Sequence, residues 1–213
     1  PGIADDLEEA GYVVERISGV NRYRTALAVA DEIGDVETVL LATGTDFADA
    51  LSAGNVAAAK GGVVVLSQGE SLTAEVAEFL ADKDDIVAVG GPAQRAAAAA
   101  NVPVLGLFGD DRFETAVEVA DHFFDFSGGG LAGISLANGE DFPDALTAGA
   151  ASGRSGDPVV LTRMDALPES TEDYARAVGA TPSLVLGFVV GGEMAISAEV
   201  YDAFDAALRG VPP

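Results

Sequence analysis

The sequence predicts an α/β protein. It would consist of two tandem Rossmann-like three-layer modules with mainly parallel sheets, plus a leading helix left from a preceding module. Three observations predict this class. Two halves of the 213-residue chain repeat one another. Short apolar runs of strand length alternate with segments of helical periodicity, the pattern of βαβ units. Hydrophobic residues make up 49% of the chain despite a net charge of −24, enough to build cores and unlike a disordered acidic chain. Right-handed crossovers then place helices on both faces of each sheet. One larger sheet of about eight strands is the alternative.

The repeat shows in three glycine-led blocks, and Leu66-Ser67 also returns as Leu161-Thr162. Gly19-Val20-Asn21-Arg22-Tyr23-Arg24-Thr25-Ala26 returns as Gly109-Asp110-Asp111-Arg112-Phe113-Glu114-Thr115-Ala116. The block from Gly44-Thr45-Asp46-Phe47 to Gly54 returns from Gly139-Glu140-Asp141-Phe142 to Gly149, and Gly90-Gly91 returns as Gly191-Gly192. The spacing grows from 90 (Gly19 to Gly109) to 95 (Gly44 to Gly139) to 101 (Gly90 to Gly191), so small insertions fall in the loops between blocks.

In chain order, residues 1–11 match the helices that close each unit and read as the closing helix of a truncated upstream module. An ordinary N-terminal helix is the other reading. Residues 12–101 form the first module, with strands expected at 13–17, 38–42, 63–66 and 86–89. Helices are expected at 22–33, 47–59 and 92–100. Residues 102–213 form the second module, with strands at 102–108, 131–137, 158–162 and 183–190 and a last helix at 198–208.

Composition excludes several function classes. With 35 Asp and Glu against 11 Lys and Arg, the chain is a poor ligand for nucleic acid, which needs clustered cations. No Cys is present, so thiol chemistry and disulfides are excluded, and the single His122 removes His-cluster metal sites. No apolar run reaches the length of a membrane span. Only two lysines, Lys60 and Lys83, occur. A carboxylate-rich, lysine-poor surface suits high salt, where charge repulsion is screened. An acidic protein of a GC-rich genome is the bland reading.

The repeated polar residues are the candidate ligand-binding set: Asn21, Arg22, Asp46, Asp49, Asp111, Arg112, Asp141 and Asp144. Asn21 and Asp111 suit helix caps. Arg22 and Arg112 sit at a helix N-terminus, where the macrodipole disfavours a cation. Pairing with Asp49 or Asp144, or with an anionic ligand, would offset that. Asp46 and Asp141, each followed three residues later by a second Asp, read as capping boxes. Such carboxylates also accept hydrogen bonds from sugar hydroxyls. Paired acids serve glycoside hydrolysis when one is desolvated, but nothing in the sequence marks either as such. The expectation is therefore no catalytic residue, no metal and no cofactor.

These blocks resemble the cell wall-binding repeat type 2 family. The resemblance rests on Arg16-Ile17-Ser18-Gly19 through Ala26, on Gly44 through Ala53, and on Gly191-Gly192-Glu193-Met194-Ala195-Ile196-Ser197. It implies non-covalent attachment of a surface protein to a cell-wall or envelope glycopolymer, outside the cell. It also implies assembly with further copies of the module, often three in tandem. The second unit departs from the pattern at Leu105-Gly106-Leu107-Phe108, where Arg-Ile-Ser is usual. Surface-layer or adhesion assembly through module contacts is the alternative function, and a wall-polymer hydrolase is a third.

Overall fold

The computed structural model describes residues 2–124, 131–182 and 186–211. Helix α1 (Gly2–Glu9) leads, followed by α2 (Arg22–Ile33), β1 (Thr38–Thr43), α3 (Ala48–Lys60), β2 (Val63–Ser67), α4 (Ala74–Ala81), β3 (Asp85–Val89) and α5 (Gly91–Ala99). Then come β4 (Leu105–Leu107), α6 (Arg112–Phe123), β5 (Gly133–Asn138), α7 (Pro143–Ser155), β6 (Val159–Thr162), α8 (Glu169–Gly179), β7 (Leu186–Val190) and α9 (Ala198–Leu208). Two separate parallel sheets result, in the orders β2-β1-β3-β4 and β6-β5-β7. One continuous sheet is therefore not the arrangement.

Strand alternation explains the layers. Val39, Leu41, Val63, Val65, Ile86 and Ala88 face one side and pack with Leu27 of α2, Val76 and Leu80 of α4, and Ala93 and Ala97 of α5. Leu40, Ala42, Val87 and Val89 face the other side and join Ala53 and Val56 of α3. That second cluster continues without a break into Val119 of α6, Ile134 and Leu136 of β5, and Phe204 of α9. The two repeats thus share a core. The central strand of each sheet, β1 and β5, is buried on both faces, which is why it reads as an unbroken apolar run.

Three expectations about elements need correction. Residues 13–17 form no strand, and Val13 is fully exposed. A strand needs a neighbour to pair with, and no strand pairs with this segment among the described residues. The run 102–108 forms a strand only at Leu105–Leu107, and that strand joins the sheet of the first repeat. Finally, Asp46 and Asp141 do not cap α3 and α7. Phe47 and Phe142 hold the cap positions without a side-chain hydrogen bond. Each Asp instead accepts from the adjacent amide, Phe47 N–H at 2.7 Å and Phe142 N–H at 2.8 Å, because it sits one residue too early. Of the run expected at 183–190, residues 183–185 lie outside the described residues, and the rest is β7.

Candidate functional site

The three repeated blocks converge at the carboxyl ends of the strands, where loops in open parallel sheets collect ligands. The first block is a helix start. The Asn21 side chain accepts from the Arg24 amide at 2.9 Å, and Asp111 accepts from Phe113 and Glu114 at 2.9 and 3.0 Å. Both are N-caps of the kind the sequence predicts. Thr25 and Thr115 accept from the amides of Gly19 and Gly109 and close the turn.

The first block is stitched to the second within each repeat. Arg22 donates to the Gly44 carbonyl at 2.6 Å, and Arg112 donates to the Gly139 carbonyl at 2.7 Å. A Cβ added to Gly44 would lie 2.7 Å from the Tyr23 ring, and one added to Gly139 would lie 3.0 Å from the Phe113 ring. The expectation that Arg pairs with Asp49 or Asp144 is thus corrected. A carbonyl at the strand end accepts from each guanidinium, a charge-assisted bond of a type worth about 1.5–3 kcal/mol.

The second block is stitched to the third. The Asp49 carboxylate lies against Gly90, and the Asp144 carboxylate against Gly191, so close that a Cβ on either glycine would collide with it. Gly90 (φ +87) and Gly191 (φ +133) also hold backbone conformations that suit glycine. Burial pushes Asp49 up to about 6, Asp46 pushes the same way, and Arg112 opposes both.

Arg112 carries the link between repeats. Its guanidinium reaches Asp46 of the first repeat at 3.5 Å and lies over the Phe47 ring at 5.4 Å. Phe47 and Phe142 meet edge to face at 5.9 Å. Of the eight candidate residues, the structure therefore groups Asp46, Asp49 and Arg112. Asp111 joins a second cluster through Arg163, which pairs with Asp111 at 3.5 Å and Glu140 at 3.7 Å and stacks 4.4 Å from Phe113. Asp144 stays with Gly191. Among the described residues, Asn21, Arg22 and Asp141 contact their own repeat: the cap, the Gly44 carbonyl and the Phe142 amide. Sequence reasoning missed Arg163 and Glu140. Arg163 corresponds to Gln68 in the first repeat, so repetition carries no sign of it.

None of the described cavities is lined by the candidate Asp or Arg residues. No cluster of three or more metal-ligating side chains occurs among the described residues. No helix there is long and apolar enough to cross a membrane.

The fold and the converging loops define a tandem repeat of parallel-sheet α/β modules whose motifs exist largely to lock each module together. The chain belongs to the cell wall binding domain 2 (CWB2) family, whose model matches residues 16–102 and 107–201. It is a cell wall-binding module of the cell surface. A curated relative, the N-acetylmuramoyl-L-alanine amidase LytC of Bacillus subtilis (strain 168), is 26% identical over 205 residues. That match takes in 92% of this chain and 40% of the amidase. Among solved structures, Cwp8 from Clostridium difficile superposes with a TM-score of 0.81 at 23% identity, over 97% of this chain and 36% of that one. Cwp6 from Clostridium difficile gives 0.75 at 22% identity, over 90% and 31%. These likenesses share the fold. The chain spans less than half the length of each of these relatives.

Proposed function

We propose that the chain is a non-catalytic module that holds a surface protein on the cell wall by binding an envelope glycopolymer without a covalent bond. The observation that supports this best is the Arg112 junction, where a cation, the Asp46 carboxylate and two aromatic rings from both repeats share one exposed rim. In this reading Asp46, Asp111, Arg112 and Asp141 line the polymer path, and Asn21, Arg22, Asp49 and Asp144 hold the loops that carry it. Carboxylates accept sugar hydroxyls, Arg112 meets polymer charge, and Phe142, 47% exposed, offers a ring face. The raised Asp49 is the one group that a hydrolase would need. Its packing against Gly90 favours a fold role, and the amidase's activity belongs to a protein of which this chain matches only a part.

Cosedimentation with purified cell walls tests the site. Arg112→Ala and Asp46→Ala should each reduce the retained fraction, while wall turbidity stays constant over hours with the native chain. Undiminished retention by both variants would remove the junction as the site. Falling turbidity would overturn the non-catalytic reading.

A further inference from the structure

The Arg112 guanidinium is held unevenly at the joint between the repeats. Its Nη1 donates to the Gly139 carbonyl at 2.7 Å, which anchors that arm within the second repeat. The guanidinium carbon lies 5.4 Å from the centre of the Phe47 ring. Its Nη2 reaches the Asp46 carboxylate only at 3.5 Å, whereas charge-assisted bonds of this kind close at about 2.7–2.9 Å. One arm is therefore fixed and the other is slack. The joint itself is firm, because Leu51 of α3 packs with Phe113 and Ala116 of α6 and all three are buried. The slack arm can change partner without moving either helix.

Asp49 stands close to this arm, in the first turn of α3. Its carboxyl packs against the Gly90 turn and accepts no hydrogen bond among the described residues. Once ionised it has one nearby cation, Arg112, and one nearby anion, Asp46. The other charged groups on the elements around it are engaged elsewhere. Arg95 of α5, beside Gly91, pairs with Glu70 at 2.8 Å. Glu114 of α6 accepts from the Asp110 amide at 2.8 Å, and Asp144 of α7 lies against Gly191. Lys60 sits in the last turn of α3, over the Phe124 ring. Burial, with Asp46 adding to it and Arg112 opposing it, pushes the Asp49 carboxyl up to about 6, so its charge changes close to neutral pH.

We propose that Asp49 gates Arg112: as the neutral acid it leaves the slack arm free for an anionic group of the wall polymer, and as the carboxylate it draws that arm inward. The inference rests on the reading of Arg112 as a polymer contact. Its consequence is reciprocal linkage between the polymer and a proton. A polymer anion that takes the slack arm removes the one group that holds the Asp49 carboxyl down. The bound chain then keeps its proton to a higher pH than the free chain, and binding takes a proton up. Affinity is greatest below about pH 6 and falls as pH rises through that value. It levels off once Asp49 is ionised in the bound chain too. A single proton limits the fall to about tenfold per pH unit.

Two measurements test this: cosedimentation with purified cell walls from about pH 5.5 to about 8 at one ionic strength, and carboxyl carbon-13 NMR of the free chain. The binding constant of the native chain should fall roughly three- to tenfold between about pH 6 and about 7.5. Asp49→Asn should bind at every pH as the native chain binds at the acid end. His122, the one histidine, sits in the last turn of α6, about 15 Å along the helix from Arg112. His122→Gln should therefore keep the native profile. In the free chain, Arg112→Ala should raise the midpoint of the Asp49 titration and Asp46→Asn should lower it, with the resonance assigned by its loss in Asp49→Asn. Retention with a flat profile, or with the same fall in Asp49→Asn, overturns the gate and leaves the wall-binding reading standing. Retention at no pH overturns both. An Asp49 midpoint that Arg112→Ala does not move overturns the gate without reference to any polymer.

Discussion

Asp49 shows how one residue of a repeated motif acquires a property its sequence neighbours do not reveal. Its carboxyl is desolvated by the turn at Gly90, more than 40 residues further along the chain. Folding raises its pKa from 3.8 to about 6, so the native state keeps a proton that the unfolded chain releases. Its stabilising contribution is full below about pH 4 and is lost as pH rises through 6, on the order of 1–3 kcal/mol after solvent screening. Asp49→Asn should therefore be no less stable than the native chain at pH 7. It should also show a shallower loss of stability between pH 4 and 6. Denaturant unfolding of both proteins at the two pH values measures this, and the comparison cancels the titration of the other carboxylates. Other residue roles were open to inspection in the sequence. Asn21 and Asp111 are caps because a short polar side chain before a helical run has few other uses. Arg22 and Arg112 were visible as misplaced cations, but their carbonyl partners were not, since a backbone oxygen leaves no mark in the sequence.

At the level of elements, α3 and α7 make the joint between the repeats. Gly149 of α7 faces Asn55 of α3, and Gly153 faces Ala58 so closely that a Cβ there would overlap it. Asn55, 2% exposed, adds a staple: it donates to the Asp157 carbonyl at 3.1 Å and accepts from the Val159 amide at 3.2 Å. Gly153→Ala should cost about 1–3 kcal/mol by overpacking. Gly54→Ala, the repeat equivalent of position 149 but facing open space, should stabilise by about 0.5–1 kcal/mol through helix propensity. Thermal melts of the two variants should move in opposite directions. The small-residue face of α7 was legible from Ala148-Gly149, because close approach needs small side chains. Asn55 was not, since its equivalent is Ala150 and the repeat breaks there. The sheets were legible as apolar runs. The destination of β4 was not, because an apolar run does not say which sheet it will join.

For the whole molecule, the shared core and the Arg112 link make the pair of repeats one body whose rim presents both copies of the motif loops. The net charge of −24 opposes any anionic polymer at low ionic strength. At about 1 M salt the screening length falls to about 3 Å, and only contacts at the rim itself retain their electrostatic strength. A lysine-poor acidic surface fits binding under such conditions. The most direct measurement is retention of the unmodified chain on fractionated envelope polymers, with glycopolymer, peptidoglycan and protein layers separated, at low and at multi-molar salt. Retention on the glycopolymer fraction that persists or strengthens as salt rises is the result expected of a wall-binding module with this charge. Retention on none of the fractions at either salt, by a chain that is folded, would contradict it.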